Sequence, residues 1–302
     1  MSENLATDTE TIVCDFCGGK DSTVFFVENG CNLTRCGNCG LLYVNPRPLS
    51  SQGFAKYSHE YIDYVEKYIQ YKPIYQAEAK RRMEEVDSWA SGGKLLDIGC
   101  ADGTFLELAR EHGWDTTGVE PDEALARHAI DKSHLNVRIC DFLDSRFEGE
   151  TFHAVTASNI ICHVRWPDRF FHETARILKK GGRIFLDTGN GAEIFARKEA
   201  EIWGEHWGTP DHLFHFSEDL LHRYMERNGL VVEKSERIPL YSMLFAKDNL
   251  RLFKGSKLKS ALKNALLAVP PLRLLIVTLF NLYYVRLKKS KVCKLRIVAR
   301  KA

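Results

Sequence analysis

Between positions 94 and 187 the chain alternates short apolar runs, closed by glycine or acidic residues, with segments of helical period. The runs predict strands over 94–98, 115–120, 137–140, 152–158 and 183–187, and the periodic segments predict helices over 103–112, 122–133 and 167–178. The last helix opens on Pro167-Asp168 and stops at Gly181-Gly182, where a chain free to turn left-handed ends a helix. Ser217 caps a further helix that ends at Asn228-Gly229, and strands over 230–238 and 294–299 follow. Such alternation predicts an α/β fold with a parallel sheet covered on both faces.

Upstream, Tyr57, Tyr61, Tyr64, Tyr68, Tyr71 and Tyr75 recur at spacings of three, four and seven. The spacing predicts a helix with tyrosines on one face, which either packs on the main domain or forms a lid. Downstream, an insertion at 241–291 separates the last two strands. Its apolar part, 272–285, is too short to span a bilayer, which needs about 20 apolar residues. Arg273, Asn281, Tyr284 and Lys288 form a narrow polar stripe on an otherwise apolar wheel. A helix at an anionic membrane interface and a helix buried against the core or a second copy are both compatible with that pattern.

Charge sharpens the picture. The chain has 302 residues and a net charge of +2. The segment 251–302 carries 14 Lys/Arg and no acid, so removing those 14 from the total of 42 leaves 28 bases facing 40 acids. An acidic body with a basic end suggests peripheral contact of 251–302 with an anionic surface. The first ten residues have no secretory character, and nine cysteines without it point to a cytoplasmic protein, possible membrane association aside.

Four of those cysteines are patterned: Cys14-x-x-Cys17, then Cys36-x-x-Cys39. This is the spacing of a four-cysteine zinc ribbon, with a structural Zn2+ held by Cys14, Cys17, Cys36 and Cys39 and no position left open for chemistry. The domains expected are a ribbon over 1–45, a linker and helical lid over 46–91, and a main domain over 92–302.

The candidate chemistry lies at the strand ends. Leu95-Leu-Asp-Ile-Gly-Cys-Ala-Asp-Gly103 is an apolar strand running into a glycine turn that carries Asp97 and Asp102, and the next strand ends in Glu120. A carboxylate at that tip suits a ribose diol. A dinucleotide site would want a third glycine and a helix N-terminus facing a diphosphate, which acids at 97 and 102 would repel. The same acids suit a cationic sulfonium, so S-adenosylmethionine is the expected cofactor.

These residues, with Asp141-Phe142 and the run from Phe152 to Lys180-Gly-Gly182, resemble class I S-adenosylmethionine-dependent methyltransferases. With Cys14–Cys39 the likeness is to the group bearing an N-terminal zinc ribbon. The resemblance implies a Rossmann-like seven-stranded sheet whose last strand is antiparallel. It implies that Asp97, Gly99 and Gly103 shape the methionine end, that Glu120 takes the ribose, and that Asp141 and Phe142 flank the adenine. Cys100, Ala101, Asp102, Pro121, Ser158 and Asn159 complete the expected cofactor set. His163, His212 and His215 are candidate bases, with His212 preferred. The expected reaction is O-methylation of a small molecule, sugar or lipid-linked intermediate. An RNA methyltransferase is the alternative, less favoured because Cys14–Cys39 has few bases. A catalytically silent ribbon adaptor is the other.

Overall fold

The computed structural model describes residues 9–28, 30–49, 61–191, 211–239 and 293–302, the side chains of 61–74, 239 and 293 excepted. The insertion at 241–291, with its apolar 272–285 segment, and Tyr57 lie outside the described residues. So do the side chains of Tyr61, Tyr64, Tyr68 and Tyr71. Among the described residues no helix is long and apolar enough to cross a membrane.

The main sheet is built from β6 (Gly93–Ile98), β7 (Trp114–Val119), β8 (Val137–Arg138), β9 (Phe152–Ser158), β10 (Leu178–Gly189), β12 (Leu230–Pro239) and β13 (Cys293–Lys301). Its spatial order is β12-β13-β10-β9-β6-β7-β8. The pairs within β10-β9-β6-β7-β8 are parallel, and β13 runs antiparallel to both of its neighbours. This is the expected seven-stranded sheet. Its central strands are apolar on both faces, as a sheet covered by helices on each side requires: Leu95, Leu96, Ala154, Val155, Ile184 and Leu186 are all buried.

The helices follow their caps. α1 spans Tyr61–Trp89, and its C-terminal half packs Ala79, Met83 and Val86 onto Leu95, Phe105 and Leu106. α2 begins at Thr104, one residue later than expected, because Gly103 has φ 82 and stands outside the helix. α3 (Glu123–Ser133) is capped by Asp122, whose Oδ1 accepts from the N–H of Ala124 and Leu125. α4 (Pro167–Ile177) runs without a break into β10, whose register shifts across 179–182 before regular pairing resumes at Arg183. α5 (Glu218–Arg227) is capped by Ser217.

The N-terminal part forms β1 (Thr9–Glu10), β2 (Ser22–Glu28), β3 (Cys31–Cys36), β4 (Leu42–Val44) and β5 (Arg47–Pro48). Its sheet has the order β11-β4-β3-β2, and its fourth strand, β11 (Phe214–His215), comes from the far side of the main sheet in sequence. Side chains reinforce this junction. Asp15 accepts from the Tyr224 hydroxyl at 2.9 Å and from the N–H of Asp168. Arg47, with no exposed surface, binds Glu10 through Nε and donates from Nη1 to the carbonyl of Arg165. Ribbon and main domain therefore share one core, in which Cys14, Cys36, Leu41 and Tyr43 pack with Ile161, Phe214 and Phe216.

Candidate active site

The carboxyl ends of β6, β7 and β9 surround a cavity of about 430 Å³, the size range of a small-molecule site. Among the described residues six acids line it (Glu78, Asp97, Asp102, Glu120, Asp122 and Asp141) against one arginine, Arg82. A wall of that sign favours a cationic ligand and opposes a diphosphate.

The floor is the turn after β6. Gly99 has φ 71, a backbone that strains an L side chain, and a Cβ there would lie 2.2 Å from Ile160 Cδ1 and displace it. Ala101 adopts φ 49, a left-handed backbone that costs an L-residue on the order of 1 kcal/mol. Its N–H donates to Glu120 Oε2 at 3.0 Å. The N–H of Asp122 donates to the other carboxylate oxygen at 2.9 Å. Glu120 is thus fixed by two backbone donors while it lines the cavity. Burial raises its pKa, the two N–H groups opposing the shift.

Asp97 is 2% exposed and accepts from Arg82 Nη2 at 2.8 Å and from the Thr156 hydroxyl at 2.6 Å. Burial raises its pKa despite these partners. Its charge is already matched by Arg82, so the cavity's excess negative charge comes from the other carboxylates. Asp102 accepts from the N–H of Thr104. Asp141 caps a single 3-10 turn by accepting from the N–H of Leu143, and it also lines the cavity beside Phe142. Phe142 is held edge-on to Phe170 at 5.3 Å.

Eleven of the twelve expected cofactor residues meet at this cavity: Asp97, Gly99, Cys100, Ala101, Asp102, Glu120, Pro121, Asp141, Phe142, Ser158 and Asn159. Gly103 is not on the wall. A Cβ there would lie 2.4 Å from Leu135 Cδ1 and 3.0 Å from Ala129 Cβ, so its role is to seat the turn against α3. The sequence reading missed Glu78, Ala79 and Arg82, which α1 brings to the same wall with Tyr75. The helical spacing of the tyrosines was the available signal, but it pointed to the aromatic face and not to Arg82.

The three histidines separate. His163 lines the cavity. Its Nδ1 is 2.9 Å from the carbonyl of Asp211, so Nδ1 carries the proton and Nε2 the lone pair. Burial lowers its pKa, which keeps the ring neutral. His212 stands behind it, ring against ring at 4.7 Å, and is not among the cavity-lining residues. His215 lies in β11 and is pushed down to about 3, by burial first and then by His212 and His163. It is buried and, like His212, not among the cavity-lining residues.

The ribbon cysteines converge. Cys14 Sγ lies 3.5 Å from Cys39 Sγ, and Cys17 Sγ lies 3.5 Å from Cys36 Sγ. All four sulfurs fall within 4.8 Å of one another. Four thiolates at about 2.3 Å from a tetrahedral zinc would be roughly 3.8 Å apart, so the set fits the ion. Burial pushes the Cys36 thiol up. The N–H groups of Cys39 and Asn38, with the neighbouring thiols, outweigh it and bring it to about 7.

A family described as a methyltransferase domain matches residues 67–235, more than half of the chain. The chain belongs to this family. It carries a methyltransferase domain, built on the class I sheet. Curated relatives include the mitochondrial ubiquinone biosynthesis O-methyltransferase of Rattus norvegicus, 30% identical over 160 residues, which cover 47% of this chain and 46% of the relative. The ubiquinone biosynthesis O-methyltransferase of Coxiella burnetii is 30% identical over 104 residues, covering 33% and 44%. The chain thus matches a little under half the length of these relatives. Solved structures share the fold. One is a geranyl diphosphate methyltransferase in complex with S-adenosylmethionine, with TM-score 0.50, 20% identity, and coverage of 75% of this chain and 85% of the other. Another is the cyclase SpnF, with TM-score 0.52, 19% identity and coverage of 75% and 82%.

Proposed function

We propose that this methyltransferase moves the methyl group of S-adenosylmethionine to a hydroxyl oxygen of a small molecule, sugar or lipid-linked intermediate. The acidic cavity at the ends of β6 and β7 carries the cofactor part of this reading. The curated relatives named as O-methyltransferases, together with a neutral imidazole on the cavity wall, support the choice of oxygen.

When bound, the cofactor supplies a methyl carbon activated by a sulfonium. Every other task falls to the chain. Glu120, already held by Ala101 and Asp122, keeps its remaining lone pairs for the ribose diol. Asp141 and Phe142 flank the adenine, and the turn from Asp97 to Asp102 receives the amino-acid end. His163 accepts the hydroxyl proton at Nε2, because Nδ1 is committed to the Asp211 carbonyl. His212, the base preferred from sequence, orients the His163 ring from behind. The remaining contribution is alignment of oxygen, carbon and sulfur, which converts a bimolecular displacement into a positioned one.

Cys14, Cys17, Cys36 and Cys39 hold a structural zinc in this reading, and the basic segment 251–302 meets an anionic surface or a lipid-linked acceptor. The test is mass spectrometry of small-molecule extracts incubated with purified protein and cofactor carrying a deuterated methyl group. Labelled product with the methyl on oxygen supports the proposal, and label on nitrogen or carbon alone rejects it.

A further inference from the structure

The segment that carries the acceptor-side histidines is suspended between the ribbon and the main domain. On one side the N–H of Val44 donates to the carbonyl of Leu213 at 2.9 Å, and β11 pairs with β4 in the register Phe214 to Tyr43 and His215 to Leu42. On the other side the N–H groups of Leu213 and Phe214 both donate to the carbonyl of Cys162, at 2.8 and 3.2 Å. The next residue, His163, donates from Nδ1 to the carbonyl of Asp211. Residues 211–215 and the turn bearing His163 therefore fix one another, with the ribbon strand β4 as the outer support.

That support is tied directly to the four-cysteine cluster. The N–H of Cys36 donates to the carbonyl of Leu41 at 2.9 Å, and the N–H of Gly40 donates to the carbonyl of Cys36 at 3.0 Å. The second cysteine knuckle thus closes immediately before β4. Tyr43 stacks on Phe214 at 6.4 Å, and both are fully buried. No ribbon residue is among those lining the cofactor cavity.

We infer that metal binding at Cys14, Cys17, Cys36 and Cys39 positions His163 and His212 for catalysis and leaves cofactor binding alone. The four-cysteine site is then a remote support of the acceptor side, through Leu42–Val44 and Phe214–His215. This rests on the reading that His163 receives the acceptor's proton. It goes further in making the competence of that group conditional on a metal held by another sheet. Chelation of the ribbon metal would switch off methyl transfer in a protein still loaded with cofactor.

The test uses the full zinc-loaded chain with isotope-labelled histidine rings, so that the readout does not depend on turnover. Removing zinc by chelation should shift or broaden the ring resonances of His163, His212 and His215. Those of His128 and His134, on and after α3, should stay in place. S-adenosylmethionine affinity should stay within about two-fold, because none of the four cysteines or their strand neighbours lines the cofactor cavity. Re-adding zinc should restore the signals. Tyr43→Ala, which leaves the cysteines intact, should displace the same three resonances at unchanged zinc content. Unmoved histidine signals after zinc removal would overturn the inference. So would collapse of cofactor affinity alongside them, because the metal would then be supporting the whole fold. Failure of the intact protein to transfer a methyl group to oxygen would count against the reaction proposed above, while the resonance shifts would still report the coupling.

Discussion

Arg82 on α1 and Asp97 at the end of β6 form an ion pair at 2.8 Å with both side chains largely withdrawn from solvent. The pair fastens the helix before the sheet to the strand that begins the cofactor turn. Removing one partner leaves the other charge buried. Arg82→Ala should therefore lower stability by about 3 kcal/mol, read by urea unfolding.

The same pair has a pH signature. Burial raises the pKa of Asp97, so the folded chain holds that proton more tightly than the unfolded one. The stability contributed by this group is fully present below the unfolded pKa of about 3.9 and is lost as pH rises through the folded value. Arg82 opposes the loss by favouring the charged carboxylate. The stability gap between wild type and Arg82→Ala should therefore widen as pH rises from mildly acidic to neutral, and a constant gap would refute this assignment.

Ala101 holds a left-handed backbone where glycine would be at ease. Ala101→Gly relieves about 1–2 kcal/mol of backbone strain against about 0.4–1 kcal/mol of extra unfolded-state entropy, so the unfolding free energy should rise by about 0.5–1 kcal/mol. Cofactor affinity should be unchanged or slightly improved. A destabilised variant would mean that the methyl group does more in packing than the backbone costs.

Glu120 joins the turn to the proposed ribose site. Glu120→Gln keeps an acceptor for one backbone N–H and loses the charge. It should weaken S-adenosylmethionine binding by roughly 1.5–3 kcal/mol, about ten- to a hundred-fold, measured by calorimetry. The fold should survive, as a normal circular dichroism spectrum would show.

The strands were legible because a parallel sheet buried on both faces needs adjacent apolar residues at its centre, here Leu95-Leu96, Ala154-Val155 and Ile184-Phe185-Leu186. The clustering of the residues expected to hold the cofactor was legible for a related reason. They sit on one contiguous turn and on the tips of the next strands, so local sequence alone brings them together. Arg82 was not legible, because its meeting with Asp97 depends on how α1 packs and leaves no spacing to read. β11 was invisible for another reason: two residues have no period, and the partner strand lies some 170 positions earlier, as the pairing of Phe214 with Tyr43 shows. Gly103 was assigned to the ligand by motif, whereas its space is taken by Leu135 and Ala129.

His163→Ala should lower kcat by about 10²- to 10⁴-fold while leaving S-adenosylmethionine affinity unchanged, the pattern of a lost proton acceptor. His215→Asn would act differently, by loosening β11, and should reduce stability together with activity. Equal activity of wild type and His163→Ala would remove His163 from the reaction.

An acidic cavity at the ends of β6 and β7 should take a cationic methyl donor and refuse a diphosphate. Calorimetric titration of the zinc-loaded protein with S-adenosylmethionine, repeated in the presence of excess NAD, tests it directly. S-adenosylmethionine should bind one-to-one and NAD should not displace it. Saturable NAD binding that competes with S-adenosylmethionine would contradict it.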